Sequence, residues 1–227
     1  ITVPANAEYA RFASYDNVAL NVYKTQPVAM YQNELTGKTW YACGDSYTAG
    51  AFGATTDNRF TAGKYKGKLK TYPYYIGNRT DCNVFNVGLG GATLAYVPTV
   101  STKTIAFSAA YEDGEEIPAN NYKSIPADAD YITLWFGIND ISYHVPIGEN
   151  TDAVNTTYKG AWNIVLSYLL EHCPKAHIGI IVSNGISEAN RKYIDATIAM
   201  AKRWGVPYLD LNSSGVPMMQ ATLQPAS

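Results

Sequence analysis

A serine in a tight turn is the residue of this chain best suited to nucleophilic chemistry. Ser46 lies in the sequence Gly-Asp-Ser-Tyr-Thr of residues 44–48, directly after the apolar run 39–43. A strand that ends in a small turn presents its first hydroxyl at the edge of a sheet, where it can attack a carbonyl group. Such turns are common, so this one alone does not establish a catalytic site.

Two further turns of this kind follow later in the chain. Residues 86–93 (NVGLGGAT) end one strand-like run, and residues 137–140 (GIND) follow another at 131–136. The carboxyl ends of parallel strands meet at one edge of a sheet, where ligands bind. The three turns are therefore predicted to form one site at the rim of a parallel sheet.

The residue types in these turns fit acyl transfer by a serine. The Ser46 hydroxyl would attack an ester carbonyl, and the resulting tetrahedral intermediate would carry an oxyanion. The Ser46 N–H, the Gly91 N–H and the Asn139 amide would stabilise that charge, each by about 3 kcal/mol. Asp45 is predicted to orient the serine turn, and Asp140 to cap or tie the loop that holds Asn139. Each of these residues alone is typical of an ordinary turn, whereas their combination favours catalysis.

The segments between the turns predict an α/β domain over residues 36–227, preceded by a β segment over residues 1–35. That segment is either an N-terminal extension or the end of a preceding β-domain. Strands alternate with helical patterns from residue 38 onward. Five strands are predicted, at 39–43, 83–87, 131–136, 178–183 and 206–211. Three helices are predicted, at 64–76 with a break near Pro73, at 151–173 and at 187–204.

Composition excludes several other classes of protein. The net charge of −2 argues against nucleic acid or an anionic membrane as the main partner, and no apolar run reaches membrane-spanning length. The three cysteines show no Cys-x-x-Cys spacing and indicate neither a disulfide scaffold nor a zinc site. The 19 tyrosines fit a protein that faces carbohydrate, although tyrosine also fills strands and anchors loops.

The three turns, in this order and at these separations, resemble the motif blocks of the SGNH (GDSL-type) hydrolase family over about residues 38–211. The resemblance implies a flavodoxin-like three-layer α/β/α fold with five parallel strands in the order 2-1-3-4-5. It also implies a serine esterase with Ser46 as nucleophile and with Ser46, Gly91 and Asn139 as the oxyanion hole. The expected substrate is an acyl or acetyl ester of a carbohydrate or a similar small ester, and no metal or organic cofactor is implied.

One family block is missing from the sequence. Family members carry Asp-x-x-His after the fifth strand, which supplies the general base and its orienting carboxylate. The only histidines here are His144, His172 and His177. The last two are predicted to be structural or exposed, and His144 to contact substrate at most. Asp210, at the end of the fifth strand, lies too early for the orienting carboxylate and has no histidine three positions on.

We expect the chain to be C-terminally incomplete, so that a further C-terminal segment completes the site. A second possibility is that a partner chain supplies the missing residues. A third is that the protein is a non-catalytic relative that binds the same ligand. The chain begins at Ile1, which suggests a processed product or a piece of a longer protein. We expect an extracellular or cell-surface protein of bacterial or phage origin.

The sequence motifs of other protein classes match this chain less well. Residues 88–93 (GLGGAT) approach the dinucleotide fingerprint G-x-G-x-x-G/A, but Thr93 occupies its last position and the serine turn occupies the first strand end. A flavodoxin-like protein that binds FMN is another alternative, and its bound cofactor would colour the purified protein. The G-x-S-x-G elbow of α/β-hydrolases is absent around Ser46. A non-catalytic carbohydrate-binding or phage or cell-surface structural module on the same fold stays open as the alternative function.

Overall fold

A parallel five-stranded sheet forms the centre of the protein. The computed structural model describes residues 11–13, 19–21, 33–50, 58–99, 103–183 and 187–213. The strands are β1 (Arg11–Ala13), β2 (Ala19–Asn21), β3 (Thr39–Gly44), β4 (Asn83–Asn86), β5 (Tyr131–Trp135), β6 (His177–Val182) and β7 (Tyr208–Asp210). Strands β3 to β7 form the central sheet in the order β4-β3-β5-β6-β7, and all its pairs are parallel. This is the predicted order 2-1-3-4-5, so the flavodoxin-like fold is confirmed.

The order of the strands decides which face each helix covers. The helices are α1 (Ser46–Ala49), α2 (Tyr72–Thr80), α3 (Ile138–Ser142), α4 (Tyr158–His172) and α5 (Glu188–Trp204). Right-handed crossovers that run in opposite directions along a sheet place their helices on opposite faces. The step from β3 to β4 runs one way and carries α2, whereas the steps through β5, β6 and β7 run the other way and carry α4 and α5.

Two apolar clusters fill the spaces on the two faces. The larger cluster joins β5 and β6 to α4 through fully buried side chains that include Leu134, Ile180, Trp162 and Leu166. The smaller cluster lies on the opposite face, where its buried members are Trp40, Ala42, Tyr65, Cys82 and Val84. Strand β3 is therefore covered on both faces, by Trp40 and Ala42 in the smaller cluster and by Cys43 in the larger one, as expected for a parallel sheet.

The predicted helix at 64–76 is wrong. Helix α2 begins only at Tyr72, with Thr71 as its N-cap and Pro73 in its first turn. Proline has no N–H to donate and its fixed φ suits the first helical turn, so it starts this helix instead of breaking one. Gly63 and Gly67 both have φ +82°, a left-handed backbone that interrupts any helix before Thr71.

The other two predicted helices are present, but their predicted limits agree with the structure to different degrees. Helix α5 has the predicted limits, with Ser187 as N-cap and Gly205 as C-cap. Helix α4 starts seven residues later than predicted, because the Thr157 side chain caps it by accepting the N–H of Gly160. Strands β1 and β2 pair antiparallel, which agrees with β structure in the N-terminal segment. The rest of residues 1–32 and residues 214–227 lie outside the described residues, so the domain boundary and the C-terminal incompleteness stay predictions.

Candidate active site

The serine turn joins the end of β3 to helix α1. Asp45 is the N-cap of α1, and its Oδ1 accepts the backbone N–H of Tyr47 at 2.9 Å. A Cβ on Gly44 would lie 2.7 Å from the carbonyl oxygen of Trp135 and would also collide with Thr48. Glycine is therefore required where β3 passes β5, and this close passage places Ser46 at the carboxyl edge of the sheet.

Backbone and side-chain hydrogen bonds fasten the second turn to the serine turn. The Leu89 N–H donates to the Gly44 carbonyl at 3.0 Å. The Asn86 Nδ2 donates to the Thr48 carbonyl at 2.7 Å, inside α1. The first and second turns therefore pack directly on each other.

The third turn is fastened to the second by the Asn139 side chain. Its Nδ2 donates to the Ala92 carbonyl at 2.8 Å, and an amide nitrogen carries a second hydrogen, for which the described residues show no acceptor. Gly91, the residue before Ala92, has φ +80° and open space where a Cβ would stand. The three turns thus lie together at one edge of the sheet, whereas the catalytic roles assigned to Ser46, Gly91 and Asn139 stay predictions.

Asp140 joins the third turn to the segment that follows the second turn. Its side chain is fully buried, and its two oxygens accept the N–H groups of Leu94 at 3.0 Å and Ala95 at 2.9 Å. Burial raises the pKa of this carboxyl to about 7, although both backbone N–H groups act in the opposite direction. Asp140 therefore ties the loop that holds Asn139, in agreement with its predicted role.

Asp45 is the second buried carboxyl at this edge. Its side chain is fully buried, and its Oδ2 has no hydrogen-bond partner among the described residues. Burial raises the pKa of Asp45 to about 6, although the hydrogen bond from the Tyr47 N–H stabilises the carboxylate and acts in the opposite direction. Its position and its N-cap bond agree with the predicted orienting role.

An aromatic stack beside Ser46 was not predicted from the sequence. The Tyr47 ring is 40% exposed and stacks on Trp135, with the ring centroids 5.3 Å apart and an angle of 20° between the planes. Tyr72 contacts Trp135 at 5.5 Å, and the Trp135 Nε1 donates to the Ser183 Oγ at 3.1 Å. The available signal was a tyrosine directly after the serine and a tryptophan at a strand end.

None of the histidines has a described interaction with Ser46. His172 stacks on Tyr168 at the end of α4, and His177 stacks on Tyr131 at the amino end of β6. His144 is exposed just after α3, with φ +52°. In the part of the chain that the structure describes, no group of three His, Cys, Asp or Glu side chains could hold a metal ion. No described helix is long and apolar enough to cross a membrane.

Solved structures share this fold at low sequence identity. A protein from Lactobacillus plantarum is 23% identical, with a TM-score of 0.56 over 83% of this chain and 85% of that one. A protein of Bacteroides ovatus assigned to the GDSL-like lipases is 14% identical, with a TM-score of 0.55 over 79% and 88%. A family two carbohydrate esterase from Cellvibrio japonicus is 16% identical, with a TM-score of 0.51 over 84% of this chain and 55% of that one.

Sequence comparison agrees with the structural comparison. No curated protein matches the chain significantly. The sequence profile of the GDSL-like Lipase/Acylhydrolase family matches residues 42–226. This range contains the three turns and the whole central sheet except the first three residues of β3. The chain therefore belongs to the GDSL-like lipase/acylhydrolase family, a family of ester hydrolases.

Proposed function

We propose that this chain carries the acyl-transfer site of a serine-dependent ester hydrolase. Ser46 is the nucleophile, and the N–H groups of Ser46 and Gly91 together with the Asn139 amide form the oxyanion hole. The observation that carries the proposal is the hydrogen-bonded contact between the three turns, above all the bond from Asn139 to Ala92. Donors held in advance around a developing charge need no rearrangement during the reaction, which is the main source of their catalytic effect.

The reaction follows from these positions. The Ser46 oxygen attacks the ester carbonyl and loses its proton to a general base, and the carbonyl oxygen becomes the oxyanion. When the tetrahedral intermediate collapses, the alcohol leaves with a proton and the acyl group stays on Ser46. Water then releases the acid by the same steps. The general base comes from outside the described residues, and its loss would lower turnover by roughly four to six orders of magnitude.

The proposed substrate is an acyl or acetyl ester of a carbohydrate or a similar small molecule. Tyr47 follows Ser46 directly, is 40% exposed and stacks on Trp135, and aromatic rings at a site are suited to packing against sugar rings. The fold shared with the carbohydrate esterase from Cellvibrio japonicus motivates the same choice.

A non-catalytic module that binds the same ligand is the second candidate. The observation that favours it is that no histidine follows His177 in this sequence, whereas the family places its general base after the fifth strand. Such a module would bind sugar esters without turning them over and would have no reactive serine.

The decisive experiment measures acetate release from acetylated methyl glycosides by the full-length protein. Hydrolysis is expected, together with labelling of Ser46 by an alkyl fluorophosphonate. Both should disappear in Ser46→Ala and persist in Ser167→Ala, which changes an exposed serine of α4. Turnover that persists in Ser46→Ala would overturn the proposal, and sugar binding without turnover or labelling would favour the module.

A further inference from the structure

A cavity beside the serine turn has no part in the proposed chemistry. Its volume is about 170 Å³, and it extends from the end of α1 to the second turn. The described residues that line it are Ala49, Arg59, Lys68, Leu69, Tyr74, Asn86 and Gly88. Two cationic side chains thus share a cavity with the end of α1, which begins at Ser46, and with the second turn.

The cations are held there by a hairpin-like loop over residues 58–70. Arg59 forms an antiparallel bridge with Leu69, and the Phe60 N–H donates to the Lys68 carbonyl at 3.0 Å. The Arg59 Nη1 donates to the Gly67 carbonyl at 2.7 Å, which orients the guanidinium group. The loop therefore fixes where both side chains leave the backbone.

The loop concentrates positive charge in a chain whose net charge is −2. Residues 58–70 contain one arginine and four lysines and no acidic residue. Among the described residues only Lys64 of this group forms an ion pair, with Asp81 at 3.1 Å. Arg59 and Lys68 have no carboxylate within 4.0 Å among the described residues, and both residues are exposed.

The cavity borders the segments that hold Ser46 and Gly91. Ala49 is the last residue of α1, three positions after Ser46, and Gly88 is three positions before Gly91. Its volume is below the roughly 300–1,000 Å³ of pockets that enclose drug-sized ligands, so it suits a substituent more than a whole sugar ring.

We infer that this cavity is a subsite for an anionic group on the substrate, a carboxylate or a phosphate, bound by Arg59 and Lys68. The inference rests on the proposed function and makes it narrower, because the preferred ester is then one of an acidic sugar or a sugar phosphate. Arginine binds either group with two parallel hydrogen bonds, and lysine adds a point charge.

Calorimetric titration tests the subsite without depending on turnover. The ligands are methyl glucuronoside for a carboxylate, glucose 6-phosphate for a phosphate and methyl glucoside as the neutral control. At low ionic strength at least one anionic ligand should bind about tenfold more tightly than methyl glucoside. Exposed charge pairs are individually modest, so Lys68→Gln should weaken anion binding about threefold, and the double change with Arg59→Gln about tenfold.

A matched variant and a second readout separate the possible failures. Lys66→Gln removes an exposed charge of the same loop that does not line the cavity, and it should leave anion binding unchanged. Equal affinity for charged and neutral sugars, no binding of any of them, or equal losses in Lys66→Gln and Lys68→Gln would overturn the subsite. Fluorophosphonate labelling of Ser46 in the same samples tests the hydrolase separately, since Arg59 and Lys68 have no role in that reaction.

Discussion

The Asn139 side chain donates a hydrogen bond to the carbonyl oxygen of Ala92 at 2.8 Å, and this bond joins two turns that are 47 residues apart in sequence. It orients the amide group beside Gly91, and in the proposed site the second hydrogen of this amide would donate to the oxyanion. The same turn is held from below by the buried Asp140. A small fixed donor on a rigid support is what stabilisation of an oxyanion requires.

Replacing Asn139 should therefore affect turnover more than substrate binding. Asn139→Ala removes one of the proposed donors to the oxyanion and is expected to lower kcat about 10²- to 10³-fold with little change in KM. Steady-state hydrolysis of an acetyl ester by the full-length protein measures both constants. Ser142→Ala, on the same short helix and exposed, should retain kcat. A kcat within a factor of two of the unmodified protein would remove Asn139 from the oxyanion hole.

Gly44 should tolerate no side chain. A Cβ there would lie 2.7 Å from the Trp135 carbonyl, and backbone at this position cannot yield as a flexible side chain can. Gly44→Ala is expected to lower the free energy of unfolding by about 2–4 kcal/mol. Gly179→Ala is the control, because it lies on β6 and the nearest atom to its Cβ is 3.9 Å away. Urea denaturation of both variants should show a loss only for Gly44→Ala.

Asp45 should make stability depend on pH. Burial raises its folded pKa to about 6, above the ordinary value of 3.8, so the folded state holds the proton more tightly than the unfolded chain does. This contribution is fully present below pH 4 and is lost as the pH rises through about 6. Each pKa unit corresponds to about 1.4 kcal/mol, so the loss is on the order of 3 kcal/mol.

The measurement compares unfolding free energies of the unmodified protein and Asp45→Asn from pH 4 to pH 7. The neutral amide cannot titrate, so the difference between the two proteins should change with pH by about the stated amount and in favour of the variant at pH 7. Asp128→Asn, which changes an exposed carboxyl, should follow the unmodified protein. A difference that is constant with pH would show that Asp45 has an ordinary pKa.

Tyr47 should contribute to sugar binding through its ring and not through its hydroxyl. Tyr47→Ala is expected to weaken binding of an acetylated methyl glycoside by roughly tenfold, since stacking on an aromatic ring contributes about 0.5–1.5 kcal/mol beyond buried area. Tyr47→Phe keeps the ring and should bind normally. Tyr75→Ala removes another exposed ring, on α2, and serves as the control. Calorimetry measures all three, and equal losses in the Phe and Ala variants would exclude stacking.

The fold was largely predictable from local pattern. Strands such as Tyr131–Trp135 and His177–Val182 are short, mainly apolar runs followed by polar or turn residues, and right-handed crossovers leave few orders for such a set. The limits of α5 were predictable too, because Ser187 and Gly205 mark helix ends by their own backbone chemistry.

The loop at 58–70 shows where such prediction fails. A helix was predicted from Lys64 onward, yet the four lysines stand at every second position from 64 to 70, and Arg59 pairs with Leu69 as in a hairpin. This pairing places two cations at the cavity. Contacts between residues ten positions apart outweighed local helical preference, which differs between residues by only about 1 kcal/mol. The alternation of the lysines was the available signal for extended backbone, although it does not report the partner.

The amino-acid sequence by itself determined the residue types at the three turns and the resemblance to the GDSL-like family, which in turn implied the strand order. Only the tertiary structure decided that Asn139 contacts Ala92, that Tyr47 lies against Trp135 and that Arg59 and Lys68 meet beside α1. The reason is physical. Turns and caps depend on the backbone preferences of a few neighbouring residues, whereas contacts between distant turns depend on the packing of every layer between them.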